Sequence, residues 1–249
     1  YKETFMKNIH LAKKIIVGGD SFSDKNQPQT AMPEPLDFKM WPEIVGEKLH
    51  CEVLNTARCG YGNHAIYHQT LKAIMNNKDV DHVFVMWSEW PRQDFLLNDS
   101  NHREYVSIDS WDHAKIYQNV DNEVIDKWYD DSFNKNFPIQ NDPKFTAPIP
   151  SMEQLTNTNI NYIYALKVIC EKLNIPYTSC QGTETCIVPS SLITQHPLGS
   201  QVFKEFTMVD LLKKEYGTKL SDFAISDKDA HPNERSQKFM ANKMIEFAE

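Results

Sequence analysis

The chain has 249 residues, 41% of them hydrophobic and 11% aromatic, and a formal net charge of −8. That length and apolar content suit one α/β domain with insertions and argue against a disordered polypeptide. The acidic balance, with no long basic run, excludes a general binder of nucleic-acid phosphates, and no apolar run is long enough to cross a bilayer.

The five cysteines, Cys51, Cys59, Cys170, Cys180 and Cys186, are odd in number and contain no Cys-x-x-Cys pair. Neither a zinc ribbon nor a disulfide scaffold is expected from them. The start of the chain carries no signal-like apolar segment, so synthesis in the cytoplasm is the expectation. Met6 offers an original start, with residues 1–5 an upstream remnant or the result of processing.

Lys13-Lys14-Ile15-Ile16-Val17 is a short β-branched run that reads as a buried strand of a parallel sheet. Gly18 and Gly19 then let the backbone turn sharply at its carboxyl end. Open α/β sheets bind ligands at that edge, so the Ser21 hydroxyl stands where chemistry is normally done. Lys25 to Lys39, with Pro28, Pro33 and Pro35, reads as a loop over the edge. A helix over 41–49 and a strand over 51–55 complete a βαβ unit.

Gly60 and Gly62 follow that strand and precede a predicted helix over 64–76. Backbone N–H groups at such a place can hold developing negative charge; a turn needing positive φ is the alternative. His82 to Trp87 is a third buried strand, ending in Ser88-Glu89-Trp90-Pro91-Arg92. Phe95 to Glu153 has little periodicity. Its aromatics, including Trp111, Tyr117, Trp128, Tyr129 and Phe133, suit the private core of a helical insertion or a sugar-binding wall.

A clear helix over 160–173 stops at Asn174, and Ile175 to Cys180 begins another strand, again the pattern of a doubly wound sheet. Gln181 to Gly217 reads as a second insertion, partly helical around 203–212. The chain is therefore expected to be one domain over 1–249, with insertions at about 95–158 and 181–217. Near its end, His231 precedes Pro232 at the mouth of a final helix, on what reads as a stiff loop, the rigid placement that a general base needs.

Gly19-Asp20-Ser21-Phe22-Ser23 resembles the first block of the SGNH/GDSL hydrolase family, in which the serine is the nucleophile. A turn glycine in mid-chain and His231-Pro232 at the end fall in the family's order. The resemblance covers residues 13–92 and 160–249. It implies an α/β fold, a doubly wound three-layer α/β/α arrangement with a mainly parallel, flavodoxin-like central sheet. It also implies acyl transfer from Ser21, with His231 as base, Gly60 (Gly62 in reserve) in the oxyanion hole, and neither metal nor organic cofactor.

Two departures from the family pattern follow. The family's Gly-x-Asn-Asp block is replaced by Trp87-Ser88-Glu89-Trp90, and an ionised Glu89 cannot donate to an oxyanion. Asn63 is expected to supply the missing amide; alternatively Glu89 contacts substrate and backbone donors suffice. Asp20, Glu89 and Trp87 form the expected substrate-contact set. The family's Asp-x-x-His is also broken, because Lys228 stands three residues before His231. Asp229 is taken as the third triad member, with Asp227 in reserve.

The family's relatives include carbohydrate O-acetylesterases, lysophospholipases and thioesterases. The aromatic, amide-rich insertion favours a small ester or an acetylated glycan as partner, with no nucleic acid and no membrane. The altered third block resembles bacteriophage sequences, which makes a virion or a homo-oligomeric assembly the expected setting. The rival reading is a catalytically inactive SGNH-shaped glycan-binding or structural module. A lesser rival is a metal site at Asp20, Asp229 and His231.

Overall fold

The computed structural model of the protein describes residues 8–25, 36–90, 92–98, 103–108, 152–183, 193, 195–199, 207–226 and 229–249. Its strands in chain order are β1 (Lys14–Gly18), β2 (Glu52–Asn55), β3 (His82–Trp87), β4 (Gln93–Asn98), β5 (Arg103–Ile108), β6 (Tyr177–Gln181), β7 (Ala224–Ser226) and β8 (Asp229–Pro232). The helices are α1 (Trp41–Leu49), α2 (Asn63–Asn76), α3 (Met152–Lys172), α4 (Met208–Tyr216) and α5 (Glu234–Glu246).

Four of the strands form a parallel sheet in the order β2-β1-β3-β6. Successive side chains of a strand point to opposite faces, and here both faces are apolar. Ile15, Val17, Phe84 and Met86 share one buried cluster with Trp41 and Val45 of α1, Met208 and Leu212 of α4, and Met240 and Met244 of α5. Ile16, Val83, Val85 and Trp87 share the other with Ala65 and Ile66 of α2 and Ile160, Ile163 and Leu166 of α3. This is a doubly wound, three-layer α/β/α arrangement. It explains why β1 and β3 read as unbroken apolar runs. Full burial of a side chain such as Ile15 or Ile16 contributes about 1.5–3 kcal/mol.

β1 lies between β2 and β3, and the two links around it run on opposite faces, α1 on one and α2 on the other. The loops at the carboxyl ends of β1 and β3 therefore part and leave a crevice, the usual binding place in such sheets. Ser21 stands just after β1 and Glu89 just after β3, at that edge of the sheet.

Three elements differ from expectation. α3 begins at Met152, ahead of the predicted start at Ile160, because buried Thr156 and Asn159 interrupt its apolar spacing. β4 and β5 form an antiparallel hairpin inside the stretch expected to be helical. His231 lies on β8, paired antiparallel with β7, where a loop was expected. Trp111, Tyr117, Trp128, Tyr129, Phe133 and Asp227 lie outside the described residues. No described helix is long and apolar enough to cross a membrane.

Candidate active site

The turn after β1 folds back so tightly that a Cβ on Gly19 would lie 2.4 Å from Ser23 Oγ. The Ser23 N–H donates to Asp20 O at 3.0 Å, and the Phe22 N–H to Asp20 Oδ1 at 3.0 Å. Ser21 rides on this turn and is 7% exposed. The turn is fastened outward as well: Trp41 Nε1 donates to Ser23 Oγ, Asn55 Nδ2 to Ser23 O, and the Cys59 N–H to Asp24 Oδ2.

The loop after β2 makes its own turn, closed by the Tyr61 N–H donating to Arg58 O at 3.1 Å. Gly60 sits third in it with φ +85°, as a type II turn requires. Its own N–H lies outside the closing hydrogen bond. Gly62 is not available for that work, because its N–H donates to Asp94 Oδ1 at 2.7 Å. Asp94 Oδ2 also accepts from the Ala65 N–H, so this carboxylate caps the positive end of α2.

On β8, Asp229 Oδ1 lies 2.6 Å from His231 Nδ1 and accepts from the His231 N–H at 3.0 Å. An ionised carboxylate only accepts, so beside one Nδ1 carries a proton, and the neutral imidazole then has its lone pair on Nε2. The Asp229 side chain is 7% exposed and the His231 imidazole 31% exposed. The imidazole meets the ring of Phe22 edge-on, with centroids 5.9 Å apart. Gln237 of α5, wholly buried, adds a second link: its Nε2 lies 3.4 Å from Phe22 O and 3.5 Å from Pro232 O. Its Oε1 accepts from the Trp41 N–H. The residues next to Ser21 and next to His231 thus share one amide.

No protein-family model matches the sequence, and no curated protein matches it. Three solved structures are similar in chain path. A G-D-S-L family protein from Desulfitobacterium hafniense is 12% identical, covers 94% of this chain and 99% of its own, and has a TM-score of 0.48. A psychrotrophic esterase from Pseudoalteromonas sp. is 12% identical over 94% of this chain and 96% of its own, with a TM-score of 0.48. A catalytic mutant of an acetylxylan esterase from Geobacillus stearothermophilus is 11% identical over 95% and 94%, again at 0.48. The likeness to these three proteins is one of chain path alone. At such identity the chemistry rests on this chain's own residues.

Set against the SGNH/GDSL pattern, part of the expected site is corrected. Asn63 is 1% exposed and fully committed: Nδ2 donates to Ser88 O at 3.1 Å and to Asn159 Oδ1 at 2.6 Å, and Oδ1 accepts from the Ser88 N–H at 2.8 Å. With both amide hydrogens spent, it has none for an oxyanion. It ties the start of α2 to the loop after β3. Trp87, expected to touch substrate, is 1% exposed and donates from Nε1 to Tyr177 Oη, a core position. Asp20 is likewise turned inward, capping its own turn through Oδ1 with Oδ2 3.8 Å from Arg92 Nη1. Among the described residues no group of three His, Cys, Asp or Glu side chains could hold a metal ion. Glu89 stays at the crevice, 16% exposed, with Oε2 3.7 Å from Arg92 Nη2.

Sequence reading assigned no role to Arg92, Asp94 or Gln237. Gln237 was findable, because it falls on the inward stripe of α5 with Met240, Ala241 and Met244. A polar residue on such a stripe must find partners. Asp94 and Arg92 carry no such signal, since Gly62 and Ala65 for the one and Asp20 and Tyr61 for the other come from distant parts of the chain.

Proposed function

We propose that the chain is a serine ester hydrolase of the SGNH/GDSL type that works through an acyl-enzyme. The observation that carries this reading is the 2.6 Å contact from Asp229 Oδ1 to His231 Nδ1, on an imidazole packed against the residue after Ser21. His231 Nε2 takes the proton of Ser21 Oγ as that oxygen attacks the ester carbonyl. The backbone N–H groups of Ser21 and Gly60 hold the oxyanion. The alcohol leaves with the proton from His231. Water, deprotonated in turn by His231, then releases the acid and frees Ser21. The substrate class is an O-acetylated glycan, a choice supported by the aromatic, amide-rich stretch over 95–158.

The test is fluorophosphonate labelling of the native protein, with the adduct located by mass spectrometry. An adduct on Ser21, absent in Ser21→Ala, is expected, together with acetate release from acetylated oligosaccharides. A protein that neither labels nor cleaves activated acetyl esters would overturn the reading.

One observation favours a second reading, a catalytically inactive glycan-binding module: Asn63 is committed elsewhere and a carboxylate stands at position 89. Binding of an acetylated glycan without acetate release is its signature.

A further inference from the structure

Arg92 touches three of the segments that make up the site, and the serine, histidine and aspartate chemistry gives it no task. We propose that Arg92 is a positioning residue that holds the Gly60 turn against the Ser21 turn. Its catalytic consequence rests on the ester-hydrolase reading; its positional role does not.

The guanidinium is 12% exposed, and its Nη1 donates to Tyr61 O at 3.2 Å, the carbonyl just after Gly60. The same Nη1 lies 3.8 Å from Asp20 Oδ2, just before Ser21, and Nη2 lies 3.7 Å from Glu89 Oε2. The segment grips the Gly60 loop a second time, where Asp94 takes the Gly62 N–H at 2.7 Å. A Cβ on Gly62 would lie 3.0 Å from Arg92 O, so the two stretches are in direct contact. Tyr61 O and the Gly62 N–H are therefore both held, which fixes the chain leaving Gly60.

The charges agree with the geometry. Asp20 and Glu89 are two carboxylates beside a place where negative charge develops in the reaction, and the Arg92 cation offsets them. Glu89, at the position where a donor was expected, anchors the guanidinium instead. Arginine suits this work because its planar fork reaches several acceptors at once and keeps its charge. Lysine would keep the charge without the fork.

The experiment compares wild type, Arg92→Ala and Arg92→Lys by hydrogen–deuterium exchange and by kinetics on a small acetyl ester. In Arg92→Ala, peptides covering 19–24 and 57–62 should exchange faster, while those of β3 and α3 keep their rates. The turnover number should fall about 10- to 100-fold with KM unchanged, as expected for a misplaced donor. Added guanidinium ion, below denaturing concentration, should restore part of it, and Arg92→Lys should lie between. Wild-type exchange rates in folded Arg92→Ala would overturn the proposal, as would a rise in KM alone. Should Arg92→Ala not fold, Arg92→Lys carries the same test: faster exchange at the two turns supports the proposal and unchanged exchange overturns it. If wild type neither labels nor turns over esters, the hydrolase reading fails, and the exchange data still decide the role of Arg92.

Discussion

At Gly60 the φ of +85° suits glycine, and the space a Cβ would enter is open. Gly60→Ala therefore meets no clash, and its cost is conformational, about 1 kcal/mol of stability. The same strain rotates the proposed donor, so turnover should fall more than stability alone explains. Urea unfolding beside ester kinetics separates the two effects. Asp229→Asn tests the imidazole from the other side. An asparagine amide can donate to Nδ1, which places the ring proton on Nε2 and removes the base. Turnover should drop by about 1,000-fold or more while KM holds, as for other triads that lose this orientation. Asp227→Asn should leave turnover near wild type; the reverse ranking would transfer the role to Asp227.

Strand and helix packing places these residues, and β1 meets α2 with little tolerance. A Cβ on Gly18 would lie 2.2 Å from Thr70 Oγ1, a buried hydroxyl without a hydrogen-bond partner among the described residues. Gly18→Ala should destabilise the fold by about 1–3 kcal/mol through overpacking. Adding Thr70→Ala should recover part of that loss, and urea midpoints of the single and double variants would show it. Recovery of nothing would mean that β1 itself had been distorted. Elements buried on both faces were readable for the same reason that they are tightly packed: Ile15 to Val17 and Val83 to Trp87 are apolar at every turn of the pleat. The β4–β5 hairpin was not, because among the described residues its strands pair only with each other, and they form no long apolar run. Asp99-Ser100-Asn101-His102 between Leu96 and Tyr105 was the turn signal available.

Across the whole molecule, the candidate site draws on segments that are far apart in the chain, two turns and the strand β8, so its contacts were the least legible part. Ser21, Gly60 and His231 could be picked out as residue types beside predicted elements. That Asn63 spends its amide on Ser88 and Asn159, or that Gln237 reaches Phe22, depends on packing that no local pattern encodes. Global stability carries its own buried signal. His82 opens β3 at 3% exposure, with Nε2 2.9 Å from Thr178 Oγ1 on β6, and burial pushes its pKa down to about 4. The unfolded chain takes up that proton near the ordinary value, about 6.5. Between those two values the unfolded state binds more protons than the folded one. This contribution to stability is thus complete above about pH 6.5 and is lost as the pH falls towards 4. Between pH 7.5 and 5 the loss should amount to about 2 kcal/mol. Other groups titrate in the same range, so the decisive quantity is the difference from a His82→Asn variant. That variant should be less stable at neutral pH, having lost the packing against Phe84, yet its stability should fall less steeply on acidification. Parallel slopes for the two proteins would show that His82 accepts its proton without disturbing the fold.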